Sequence, residues 1–150
     1  MKMFLRQFIL LFLVMSVSAG LAFAADLDKG FARAVAAGDV SMIRTLLDQG
    51  IDINAKNKEG ETALMLACLE GRTEVARLFI EKGADLHAKD SVGATALLYA
   101  AVGGSLETMK LLIDKGASID ARTDGGETAL SISGAKGNKA AVEFLQSIKK

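Results

Sequence analysis

The sequence predicts an all-α fold, a solenoid of about four stacked helix-turn-helix units joined by hairpin-like loops. Three observations carry this. Gly60-Glu-Thr-Ala-Leu64 returns as Gly93-Ala-Thr-Ala-Leu97 and again as Gly126-Glu-Thr-Ala-Leu130, 33 residues later each time. Gly38, Gly71, Gly104 and Gly137 keep that step, and so do Gly50, Gly83 and Gly116. Between these glycines lie helix-forming apolar runs. Three glycine series in one register mean one structural unit copied several times. Such a stack presents a surface rather than an enclosed catalytic pocket.

The chain opens with a different kind of segment. Lys2 and Arg6 form a short basic start, Phe8 to Val17 is almost wholly apolar, and Ala22-Phe23-Ala24 puts small residues where a signal peptidase needs them. This predicts a cleaved secretory signal over residues 1–24 and a mature chain beginning at Ala25. The uncharged stretch from Gln7 to Ala25 leaves an uncleaved membrane anchor as the alternative. Ser16, Ser18 and Gly20 dilute its apolarity.

Cleavage would remove two of the 18 basic residues and none of the 18 acidic ones, for a net charge of −2. That balance gives no reason to expect nucleic acid or an anionic membrane as a partner of the mature form. The one cysteine, Cys68, has no second thiol to pair with, so the domain must be held by packing alone.

Residues 57–89 show how one unit forms. Thr62 can cap a helix through its hydroxyl. Ala63 to Glu70 is a strong helix-forming run, and Gly71 closes it by accepting a left-handed backbone. Thr73 to Lys82 is a second helix with Val75, Leu78 and Phe79 at core spacing, and Gly83 closes that one. A polar loop of about ten residues then leads to Gly93. Each helix pair is too small to bury its own apolar face, so neighbouring copies must close the core. Ala34, Ala67 and Ala100 fall in one small-residue column, and Val35, Cys68 and Ala101 in the next. Phe31, Leu64, Leu97 and Leu130 form the large apolar column. On this basis the repeat domain covers residues 25–150, with units near 27–56, 57–89, 90–122 and 123–150.

Asp90-Ser-Val-Gly-Ala-Thr-Ala-Leu-Leu-Tyr-Ala-Ala101, followed by Lys110-Leu-Leu-Ile-Asp-Lys-Gly-Ala117, resembles the ankyrin repeat. The resemblance covers roughly residues 27–150. The family usually begins its first helix Thr-Pro-Leu-His. Here Ala63, Ala96 and Ala129 stand at the proline position, and Met65, Leu98 and Ser131 at the histidine position. Alanine preserves the helix, but the histidine hydrogen bonds of the family are lost. The last unit departs further, with Ser133, Gly134 and Gln146 where inner copies hold apolar or helix-favouring residues. It is expected to be the loosest part of the array.

No catalytic constellation emerges, and no metal ligand set or cofactor-binding motif is expected. His87 is alone and stands in a loop where Asn54 and Asp120 occupy the matching places, which predicts a turn residue bonding its own backbone. Cys68 replaces a core alanine and reads as a buried small residue. The glycines lack phosphate-loop spacing, and the carboxylates lie in loops or on solvated faces without acid–base pairing.

Binding is the remaining reading. In ankyrin-like stacks the partner surface is made by loop tips and by the exposed side of the first helices. Carried over position by position, the resemblance places Lys56, Lys58, Glu59, Lys89, Ser91, Val92, Arg122, Asp124 and Gly125 at the tips. It places Glu61, Leu69, Glu70, Ala94, Val102 and Glu127 on the helix side. Lys56, Lys89 and Arg122 form a cationic column, while Leu69, Val92 and Val102 are apolar at positions expected to be exposed. The resemblance implies a monomeric, non-catalytic protein-binding module, and the leader predicts export to the periplasm. A membrane-tethered adaptor and a secreted factor acting on a host protein are the alternatives.

Overall fold

The computed structural model describes residues 29–149, so the expected leader and the start of the first unit lie outside the described residues. The described residues form eight helices in chain order. They are α1 over 29–37, α2 Val40–Asp48, α3 Ala63–Leu69, α4 Thr73–Glu81, α5 Ala96–Gly103, α6 Leu106–Asp114, α7 Ala129–Ala135 and α8 Lys139–Ile148. They fall into four consecutive pairs, and the first helices stack in order, α3 on α5 and α5 on α7. The connecting loops form no strand among the described residues. Their one ladder element is an isolated antiparallel bridge between Lys56 and Thr62.

The three glycine series all adopt positive φ, from 64° at Gly71 to 102° at Gly116. That conformation puts a Cβ in steric conflict, which is why the register is written in glycine. Gly93 is constrained twice, because an added Cβ would also meet the Asp124 carboxylate at 2.6 Å.

Small residues let the first helices approach. Ala34, Ala67, Ala100, Val35, Cys68 and Ala101 are all buried, beside Phe31, Leu64 and Leu97. Leu130 is only half-buried. The contact between α3 and α5 is closest at Gly103, where a Cβ would overlap the carbonyl oxygen of Leu69. On the other layer Ile43, Val75, Ala76, Phe79, Met109, Leu112, Ala141 and Leu145 close the core, and Phe31 meets Phe79 with ring centroids 5.7 Å apart. The expected column of small residues ends at Ser133, which is fully buried with no partner for its hydroxyl.

The residues replacing the family histidine have three different outcomes. Met65 accepts through its sulfur from the Thr62 N–H at 3.4 Å, while Thr62 Oγ1 accepts from the Met65 N–H. Ser131 does the same for Thr128 with shorter contacts, its Oγ accepting from the Thr128 N–H at 2.9 Å. Leu98 has no polar atom to offer. The Thr95 side chain makes no capping bond, and its hydroxyl is buried without a partner.

The second helices begin at Asp39, Arg72, Ser105 and Asn138, again 33 residues apart. Asp39, Ser105 and Asn138 cap their helices through side-chain oxygens. Arg72 does not cap α4. It reaches back one repeat and donates from Nε and Nη2 to the Ala36 carbonyl.

Candidate functional site: the loop edge and the inner corner

Each loop is pinched by one side chain at its base. Asn57 Oδ1 accepts from the Glu59 and Glu61 N–H groups, and Asp90 Oδ1 accepts from those of Val92 and Ala94. Thr123 Oγ1 takes the Glu127 N–H. These local bonds satisfy the turn backbone and push the tips outward. Adjacent tips are joined by main-chain bonds, Ser91 N–H to the Glu59 carbonyl at 3.0 Å and Asp124 N–H to the Val92 carbonyl at 2.9 Å. The tips therefore form one edge rather than separate fingers.

Most of the residues expected on this surface are exposed. Lys56, Lys58, Glu59, Glu70, Lys89, Ser91, Val92, Val102, Arg122, Asp124, Gly125 and Glu127 all face solvent. Val92 is 55% exposed and Val102 40%, which makes repeat three the place where large apolar groups are most open among these candidates.

Three expectations need correction. Ala94 is buried at 8%, because the Asp90 bond to its N–H folds it under the loop, so it offers a partner no surface. Leu69 is half-buried rather than exposed, since its carbonyl sits against Gly103 of the next helix. The cationic column is also uneven. Lys56 Nζ donates to the Lys89 carbonyl at 2.8 Å, so this ammonium fastens one loop to the next.

The inner corner, where loops meet first helices, holds a group that sequence reading missed. The Tyr99 hydroxyl lies 2.8 Å from Glu61 Oε1 and 2.7 Å from Asp90 Oδ2. It has one proton for two carboxylates. Glu61 also accepts from Asn57 Nδ2 at 2.7 Å. Burial, and then the Asp90 and Glu61 carboxylates, raise the phenol pKa, so Tyr99 keeps its proton. Burial works against ionised Asp90, but hydrogen bonds from Tyr99, Ala94 and Val92, with Lys56 nearby, outweigh it and hold the carboxyl below its ordinary range. Glu61 and Tyr99 are 38 positions apart, and only the stacking of α5 on α3 brings them together.

The same corner one repeat earlier is a cavity of about 120 Å³, lined by Phe31, Val35, Ile51 and Leu66 with Asn57 and Glu61 at its polar side. Leu66 there stands one repeat before Tyr99.

Cys68 is fully buried, and burial pushes its thiol up to about 12, far from the range of reactive thiolates. The His87 side chain does not make the expected turn bond. Its backbone N–H is taken by Asp85 Oδ1 at 2.8 Å, so the aspartate two residues earlier holds the turn. Asn54, one repeat before His87, instead accepts from the Asp85 N–H and ties two loops together. Among the described residues no group of three acidic, histidine or cysteine side chains is placed to hold a metal. No described helix is long and apolar enough to cross a membrane.

No curated protein matches this sequence. The family model described as ankyrin repeats (3 copies) matches residues 25–90 and 83–150. Ankyrin repeats generally mediate protein–protein interaction, and the family is typically non-enzymatic. The matched residues, the all-helical stack and the glycine-closed helix pairs agree, and the chain belongs to the ankyrin-repeat family.

Proposed function

We propose that this chain is an exported, non-catalytic binding module that holds a protein partner along its loop edge and inner helix face. The observation that supports this most is that Val92 at the loop tip and Val102 on α5 are both exposed in one repeat, while the cations Lys89 and Arg122 are open in the loops. A central apolar contact rimmed by charge is the usual anatomy of a protein interface. The edge is joined tip to tip by backbone bonds, so little ordering is needed on binding. Export is read from the basic, apolar and small-residue blocks of residues 1–24, with the periplasm as destination and secretion as the variant of the same route.

The test is capture of partners from periplasmic extract by the wild type and by a Val92→Asp/Val102→Asp variant of equal thermal stability. A protein retained by the first and lost by the second supports the reading. Equal retention by both overturns the assignment of the face. Intact mass of the exported protein separates a free module, which lacks residues 1–24, from a tethered adaptor that keeps them.

A further inference from the structure

The corner between the first two repeats is a hole that the next repeat fills. In the third repeat the Tyr99 ring projects from α5 and its hydroxyl ends between Glu61 and Asp90. In the second repeat Leu66 stands at that position and is too short to do the same. The result is the 120 Å³ cavity, walled by Phe31, Val35, Ile51 and Leu66. A cavity of about 150 Å³ accepts benzene, so this one, open to solvent on one side, has room for a leucine, isoleucine or valine side chain.

The polar side of the cavity points to what accompanies that side chain. Glu61 lines it, and the same carboxylate competes with Asp90 for the one Tyr99 proton. Lys56 also lines the rim, but its ammonium is drawn to the Lys89 carbonyl. The corner is thus short of hydrogen-bond donors and carries surplus negative charge at a half-buried place, where a cation is held more strongly than on open surface.

We propose that this corner is a subsite for an aliphatic side chain flanked by a lysine or arginine in a protein partner. The aliphatic group fills the cavity and the cation takes the free lone pairs of Glu61. The proposal rests on the protein-binding reading but uses a different place from the loop edge, so the two fail separately.

The probes are capped hexapeptides of serine and glycine carrying Leu-Arg, Leu-Glu or Ser-Arg at the centre, titrated into the full-length protein with methyl NMR detection. The expected result is saturable shifts of the Val35, Ile51 and Leu66 methyls with Leu-Arg, at least roughly tenfold weaker with Leu-Glu or Ser-Arg. Leu66→Tyr should abolish them by filling the hole, and Glu61→Gln should weaken Leu-Arg to the level of Leu-Glu while keeping the fold. Equal response to Leu-Arg and Leu-Glu, shifts centred elsewhere, or no saturation overturns the subsite. So do methyl contacts to residues 25–28 that exclude the peptides, or a dimer that Leu66→Tyr dissociates. A captured partner that is lost with Val92→Asp/Val102→Asp yet bound normally by Leu66→Tyr also overturns the subsite, while the loop-edge reading stands.

Discussion

The guanidinium of Arg72 clasps the carbonyl oxygen of Ala36, one repeat away, with Nε at 3.1 Å and Nη2 at 2.8 Å. It satisfies one of the orphan carbonyls near the end of α1, and in doing so it leaves the start of α4 without a side-chain cap. Asn138 at the matching position achieves both. Its Oδ1 takes the Ala141 N–H and its Nδ2 donates to the Gly104 carbonyl.

Arg72→Asn is therefore expected to hold or raise stability, by up to about 1 kcal/mol, since a cap is gained. Arg72→Ala loses the clasp and gains no cap, and should destabilise by about 1–2 kcal/mol. Urea denaturation of the two variants checks this. An asparagine variant no more stable than the alanine one would show that repeat four is a poor guide to repeat two.

The Thr95 hydroxyl is buried and unpaired, whereas the Thr62 and Thr128 hydroxyls each cap a helix. Thr95→Val removes an unsatisfied polar group and should be neutral or stabilising by about 1 kcal/mol. Thr128→Val removes a working cap and should cost about 0.5–2 kcal/mol. The measurement is the difference in denaturation midpoint between the two valine variants. Equal losses would mean that Thr95 has a partner after all.

Two helical glycines should respond to alanine with opposite signs. At Gly103 the new Cβ overlaps the Leu69 backbone, which cannot swing aside as a side chain can, so Gly103→Ala should destabilise by at least about 2 kcal/mol. At Gly134 nothing lies within 4 Å and the backbone is helical, so alanine should add about 0.5–1 kcal/mol. A calorimetric melting temperature unchanged or raised by Gly103→Ala would refute the packing of α3 on α5.

These contrasts mark what a sequence can reveal. The 33-residue glycine register made the helix ends legible, because left-handed backbone at those places admits little else. The column of Ala34, Ala67 and Ala100 was legible because close helix contact demands small residues. Arg72 was not legible as an inter-repeat clasp, since arginine is not a capping residue and its acceptor is a backbone atom. Lys56 looked like an open cation for the same reason. The corner cavity depends on the difference in reach between Leu66 and Tyr99, which matters only once both occupy matching places in a stack. Ala94 matched a surface position by alignment, yet its own loop buries it.

Cys68 should make stability fall at high pH. An unfolded thiol ionises near its ordinary value of 9.0, whereas burial pushes the folded one to about 12. Above pH 9 the folded state thus holds more protons than the unfolded state, and stability declines as pH rises through that window. Below pH 9 the group is neutral in both states and has no such effect. Wild type should lose more stability than Cys68→Ala between pH 9 and about 10.5, and native alkylation should stay slow throughout. Parallel pH profiles for the two proteins, or rapid native labelling at pH 8, would contradict the buried thiol.

The binding face offers the sharpest separation of roles. Lys89 and Arg122 are exposed cations on the edge, whereas Lys56 is committed to the Lys89 carbonyl. Reversing Lys89 and Arg122 to glutamate should leave the fold intact, slow association with an acidic partner and flatten its salt dependence, because rim charges act mainly on encounter. Reversing Lys56 should instead lower stability by about 1 kcal/mol through the lost inter-loop bond. Val92→Asp with Val102→Asp should leave the association rate nearly unchanged and shorten the lifetime of the complex, since apolar anchors act on dissociation. Stopped-flow or surface-capture kinetics with the recovered partner, at two salt concentrations, reads all three effects. A Lys56 variant of wild-type stability whose binding weakens as much as that of Lys89→Glu/Arg122→Glu would restore the column of three equal cations. A long-lived complex with the two aspartates would move the apolar contact away from repeat three.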